Sequence, residues 1–153
     1  MDPVDRMAPF ITSLKKIEHS KGLVMHAMKN SDVSYVGFGE AYFSSVNHGM
    51  CKGWKKHKKM TLNLIVPSGN IRFVVHGAKQ SSKVNIIDPL IDVTIGESNY
   101  SRLTIPPGFW VAFQGAGLGQ NILLNIADLE HDPEEAINVD LNCFNVKGFD
   151  ANE

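Results

Sequence analysis

At 153 residues the chain is long enough to bury one sizeable core and too short for two independent ones, so residues 1–153 are read as one domain. Lys and Arg number 15 against 16 Asp and Glu, a formal net charge of −1, which excludes a global basic field for nucleic acid or an anionic membrane. No apolar run approaches the roughly 18 residues of a membrane helix. The polar start Met1-Asp2-Pro3-Val4-Asp5-Arg6 does not read as a secretory signal, and Cys51 and Cys143 lack metal-type spacing. A soluble, cytoplasmic protein with reduced thiols is the expectation.

Residues 10–17 and 22–28 are short apolar-rich runs on either side of His19-Ser20-Lys21-Gly22 and are predicted to form a hairpin. The run Val33 to Val46 is aromatic and β-branched, and its two glycines predict a bend or bulge rather than a flat strand. Strands over 60–66 and 70–76 meet at Pro67-Ser68-Gly69-Asn70, where glycine supplies a positive φ. A loop rich in Gln, Ser and Lys follows. Further strands are predicted near Leu90–Ile95, Arg102–Ile105, Phe109–Phe113 and Ile122–Ala127, the last two separated by a glycine-rich, mobile loop at Gly115, Gly117 and Gly119. A helix start is visible at Pro133-Glu134-Glu135-Ala136, with Asp132 as N-cap. Many short strands and one short helix predict an all-β antiparallel jelly-roll or small barrel.

The chemistry-bearing segment is Lys52-Gly53-Trp54-Lys55-Lys56-His57-Lys58-Lys59, set just before the strand at residue 60. If residues 53–57 are extended, Gly53, Lys55 and His57 share one face and Trp54, Lys56 and Lys58 the other. A cation at Lys55 beside His57 disfavours imidazolium, which suits a general base. The competing reading is a solvated, lysine-rich edge that discourages strand aggregation. The other histidines, His19, His26, His48, His76 and His131, are scattered and contain no H-x-H pair, so no catalytic metal is expected. Trp110 is placed to stack on a base or sugar ring, although aromatic residues in strands more often serve the core. Gly115-Ala116-Gly117-Leu118-Gly119 lacks the strand-then-helix context of a dinucleotide fingerprint.

Taken together, these segments resemble the RmlC-like cupins of nucleotide-sugar metabolism, the dTDP-4-dehydrorhamnose 3,5-epimerases and the dTDP-4-keto-6-deoxyhexose 3,4-ketoisomerases. Leu14-Lys15-Lys16-Ile17 through Lys21-Gly22 looks like their opening strand and Arg-Gly turn. Gly53 to Gly69 keeps the ketoisomerase spacing from R-G-x-H-A-H-K to the glycine hairpin. Ser98 to Phe109 looks like the epimerase segment S-x-E-N-x-x-x-L-x-I-P-x-G-F.

The resemblance implies a dimeric jelly roll without metal or other cofactor, which binds a dTDP- or UDP-sugar and removes a proton next to a ketone. By position, the families' principal histidine falls on Lys55 and the second histidine is kept as His57. The arginine of R-G falls on Lys52, a polar Gln or Lys on Leu62, and the histidine after G-F-A on Val111. No orienting carboxylate is assigned to His57, because the epimerase aspartate lies in a segment beyond Glu153. The candidate catalytic residues are thus His57 and Lys55, and the candidate substrate-binding residues Lys52, Tyr42, Asn63, Trp110 and Asn125. The alternative is a non-catalytic sugar-nucleotide-binding or structural cupin that has lost its base.

Overall fold

The structure, a computed structural model, describes residues 8–77 and 88–149. Most of the loop rich in Gln, Ser and Lys, and the polar start of the chain, lie outside the described residues. Among the described residues twelve strands run in chain order: β1 (Phe10–Ser13), β2 (Lys16–His19), β3 (Gly22–Met25), β4 (Glu40–Val46), β5 (Cys51–His57), β6 (Leu62–Ser68), β7 (Asn70–His76), β8 (Ile91–Gly96), β9 (Ser101–Ile105), β10 (Trp110–Gly115), β11 (Asn121–Ala127) and β12 (Ala136–Asn138). They form two five-stranded antiparallel sheets, β1-β9-β6-β11-β4 and β12-β5-β10-β7-β8, and a separate β2-β3 ribbon. This is the expected all-β jelly roll, arranged as two facing sheets rather than one closed ladder. Among the described residues no helix is long and apolar enough to cross a membrane.

The principal core lies between the sheets and follows the period-2 alternation of the strands. Leu62, Leu64 and Val66 of β6 meet Ile71, Phe73 and Val75 of β7 there, with Leu103, Ile105, Val111 and Leu123. Between β6 and β7 the chain turns at Gly69, where φ is +80° and an added Cβ would lie 2.4 Å from Asn121 Oδ1. The Asn121 carboxamide accepts from Asn70 N at 2.9 Å and from Gly117 N at 3.1 Å, and donates to the Val46 carbonyl. These bonds tie down the β10–β11 connection, which the sequence suggests is mobile.

Three local expectations change. The run 10–17 divides: β1 joins β9 in the first sheet, and only β2 pairs with β3. Of residues 33–46 only 40–46 form a strand, and the preceding stretch wraps over the first sheet. The helix expected from Pro133 is a single 3-10 turn, Pro133–Glu135, capped as expected by Asp132 Oδ1 accepting from Glu134 N at 3.0 Å. The chain then extends as β12 to pair with β5, because that pairing satisfies backbone groups a longer helix would leave beside an open sheet edge.

A second apolar cluster covers the outer face of the second sheet. Trp54, Val74, Trp110 and Ala112 pack there against Phe144 and Phe149 of the C-terminal segment. Trp54 is 1% exposed, and its Nε1 donates to the Leu141 carbonyl at 2.9 Å. His76 lies under the same layer, stacked on Phe144 at 4.7 Å and edge-on to Trp54 at 5.3 Å. Burial pushes its pKa down, which disfavours the charged imidazolium in this layer.

Candidate active site

Between the sheets a cavity of about 400 Å³ opens, walled by β4, β5, β6, β10, β11 and β12. Its polar lining comes from Tyr42 and Ser44 on β4, Lys52, Lys55 and His57 on β5, Asn125 on β11 and Asn138 on β12. Its apolar lining includes Leu62 and Val111, the two positions where the resembled families keep polar groups. The lysine-rich segment is therefore a cavity wall and not only a solvated edge.

The arrangement of β5 has a local cause. Val111 pairs with Lys55 and Phe113 with Lys52, and the register slips between them. That slip places one extra residue on β5, which brings Lys52 onto the same side as Lys55 and His57 despite its opposite parity. Gly53 makes it feasible. Its φ is +135°, and a Cβ there would sit 2.5 Å from the Ala112 Cβ. Lys52 then reaches across to β4, donating from Nζ to the Ser45 carbonyl at 2.7 Å, with further N–H donors left over. Lys55 is half-buried, and among the described residues its ammonium has no hydrogen-bond or ion-pair partner.

His57 has the carboxylate partner that the sequence does not assign. Its Nδ1 lies 2.6 Å from Glu135 Oε1. The other carboxylate oxygen, Oε2, accepts from the backbone N–H groups of Lys59 and Met60, both at 2.8 Å. Glu135 is 7% exposed. Burial pushes its pKa up, but the bonds from His57, Lys59 and Met60 outweigh it and hold the carboxyl below its usual range. An ionised carboxylate only accepts, so in the neutral ring Nδ1 carries the proton and donates it in a hydrogen bond to Glu135, leaving Nε2 as the basic nitrogen. Asp128 adds a second acidic group nearby. Burial pushes its pKa up, with the Glu135 charge adding to the rise, and its Oδ1 accepts from Thr61 N at 2.8 Å.

The cavity thus gathers His57, Lys55, Lys52, Tyr42 and Asn125 from the sequence-derived set. Asn125 Nδ2 donates to the Tyr42 hydroxyl at 3.3 Å. Asn63 and Trp110 lie elsewhere. Asn63 sits between the cavity-facing Leu62 and Leu64, so alternation turns it to the outer face of the first sheet. There it donates to the Ser34 carbonyl at 3.1 Å and accepts from Thr104 Oγ1 at 2.7 Å. Trp110 belongs to the outer cluster, with Lys56 Nζ 5.0 Å from its ring centroid. Its neighbour Val111 takes the inward position. Glu135, Ser44 and Asn138 are the additions. Glu135 reads in sequence as an acid of a helical first turn, and only the Ala136–His57 pairing brings it to the imidazole. Among the described residues no group of three or more His, Cys, Asp or Glu is placed to hold a metal ion.

No protein-family model and no curated protein matches the sequence. Solved structures do. A dTDP sugar isomerase from Desulfovibrio desulfuricans G20 superposes with a TM-score of 0.81 at 28% identity, covering 94% of this chain and 92% of that one. The dTDP-4-dehydrorhamnose 3,5-epimerase of Sulfolobus tokodaii gives 0.75 at 20% identity, over 93% and 84%. The sugar 3,4-ketoisomerase QdtA of Thermoanaerobacterium thermosaccharolyticum, solved in complex with TDP, gives 0.68 at 18% identity, over 86% and 88%. The latter two likenesses concern the fold. In fold, the chain is an RmlC-like cupin, similar over nearly its whole length to dTDP-sugar isomerases and epimerases.

Proposed function

We propose that the protein is a nucleotide-sugar epimerase or isomerase that removes the proton next to the ketone of a dTDP- or UDP-linked 4-keto-deoxyhexose. The observation that carries this reading is that His57, which lines the cavity, is paired with the Glu135 carboxylate. In the proposed step the α C–H bond breaks, its proton goes to His57 Nε2, and its electron pair moves onto the carbonyl oxygen. The Lys55 ammonium stabilises that oxyanion, a preorganised cation acting where charge develops. Glu135 holds the imidazole in the accepting tautomer and offsets the charge of the imidazolium. Lys52 takes the diphosphate, and Tyr42 and Asn125 hold the sugar from the opposing sheet. No cofactor enters this step.

The test is solvent exchange. A dTDP-4-keto-6-deoxyhexose incubated in deuterated buffer is expected to exchange its C3 proton, and His57→Ala to slow that exchange about a hundredfold or more. Lys55→Ala is expected to slow it too, while weakening nucleotide-diphosphate binding less than Lys52→Ala does. A wild type that binds nucleotide sugars but exchanges no proton with several keto-sugars would overturn the catalytic reading.

We also propose that the chain forms a homodimer through its N-terminal strands. The β2-β3 ribbon stands apart from both sheets and leaves Ile17, Leu23 and Val24 exposed, an arrangement that favours pairing with another copy. Sedimentation at micromolar protein is expected to give twice the 16.9 kDa chain mass; a monomer would contradict it.

A further inference from the structure

A second cavity, of about 330 Å³, lies on the outer face of the first sheet and shares no lining residue with the first. Residues 26–32 form one wall, and β1 with the residues just after it forms the other. One backbone and one side-chain hydrogen bond hold these walls: His26 N donates to the Lys15 carbonyl at 2.9 Å, and Tyr100 Oη to the His26 carbonyl at 2.8 Å. Arg102, on β9 between Ser101 and the inward Leu103, lines the cavity although only 2% exposed.

The charge there is unbalanced. Lys15, Lys29 and Arg102 face the cavity against one carboxylate, Asp32. Arg102 Nη1 donates to the Ala27 carbonyl at 2.5 Å and lies 3.3 Å from Asp32 Oδ2. That same oxygen also accepts from Lys29 N at 2.8 Å. Arg102 Nε is buried and has no hydrogen-bond partner. A buried guanidinium with an unmade bond is costly, and burial pulls its pKa down against the opposing effect of Asp32. Thr12 and Ser13 add hydroxyl groups, and Thr12 is the cross-strand partner of Arg102. On a chain of net charge −1, this local excess gives the groove a positive field that favours an anion.

We infer that the groove formed by Lys15, Lys29, Arg102, Thr12 and Ser13 is a second binding site, specific for a phosphate oxyanion. The guanidinium supplies planar donors suited to phosphate oxygens, and the two ammonium groups close the rim. The cavity is roomier than one phosphate needs, which also fits a phosphate ester. The inference stands apart from the proposed catalysis, since the two cavities occupy opposite faces of one sheet.

The experiment uses the full chain carrying Lys52→Ala and Lys55→Ala, which silences anion binding in the first cavity. Calorimetric titration with inorganic phosphate and with ribose 5-phosphate is expected to give one saturable site with Kd on the order of 1 mM or tighter. Adding Lys15→Ala and Lys29→Ala should weaken it about tenfold, as for two partly screened cation contacts. Both lysines lie at the rim, so an unchanged melting temperature would separate lost binding from lost folding. Tighter binding of the ester assigns the remaining volume to its organic part; equal binding assigns the site to phosphate alone. Absence of saturable binding in the Lys52→Ala/Lys55→Ala protein, or affinity indifferent to Lys15 and Lys29, overturns the inference. A second copy of the chain seated over the groove would register as the first of these results.

Discussion

The two faces of β5 are built from neighbouring residues and do opposite work. On the outer face Trp54 is sealed between Phe144, Phe149 and His76, and Lys56 lies over Trp110. On the inner face Lys52, Lys55 and His57 line a cavity, and Lys55 has no protein partner among the described residues. One face has its apolar area removed from water, at the cost of leaving Trp110 Nε1 and His76 Nε2 buried without hydrogen-bond partners, whereas the other keeps an ammonium and an imidazole facing the cavity. The difference teaches that strand parity alone does not divide packing from chemistry here. The slip opposite Ala112 adds Lys52 to the cavity-lining face.

The largest expected effect breaks the outer face. Trp54→Ala removes a fully buried indole and its bond to Leu141, and is expected to cost about 3–5 kcal/mol of stability, measured by urea denaturation. If the faces are separable, the fraction that stays folded keeps its nucleotide affinity. A comparable loss of affinity per folded molecule would break the comparison.

Next comes the inner face. In Glu135→Gln one carboxamide must replace two carboxylate oxygens that serve His57 on one side and two backbone N–H groups on the other. With its oxygen kept on the two backbone N–H groups, its NH2 faces His57 Nδ1 and forces the imidazole into the other tautomer, with the proton on Nε2. The expected cost is about 1–3 kcal/mol of stability and, under the proposed mechanism, at least about a tenfold slower C3 exchange, as expected for a misoriented base. Unaltered exchange in a folded Glu135→Gln protein would show that His57 does not rely on this carboxylate.

The smallest effect sharpens the comparison through pH. His76 has a folded pKa below its ordinary 6.5, so the unfolded chain binds its proton first. Stability from this group is therefore full above about pH 6.5 and is lost as pH falls from there toward the folded value. Glu135 and Asp92 also titrate low in the folded state, so their contributions are lost below their ordinary 4.5 and 3.8, respectively. Asp128, raised by burial, runs the opposite way and offsets part of the loss as it protonates. His76→Phe keeps an aromatic ring against Phe144 and is expected to flatten the stability curve just below pH 6.5. An unchanged slope there would mean that His76 does not titrate out of its buried layer.

The sequence by itself determined the all-β class, most strands, the Gly69 turn and the common face of Lys55 and His57. These rest on local rules: alternation, β-branched enrichment and the backbone freedom of glycine. It also located Tyr42 and Asn125, which the fold brings to the same cavity. Tertiary structure decided the rest. Asn63 and Trp110 are polar or aromatic strand residues like those lining the site, and only the register of their neighbours shows that they face outward. Lys52 required the slip opposite Ala112. Glu135 stands 78 positions from His57, and no spacing rule links them, because the contact forms only when β12 adds to the edge of β5. Alternation is encoded along the chain, whereas a partner that arrives from another strand depends on how the sheets close.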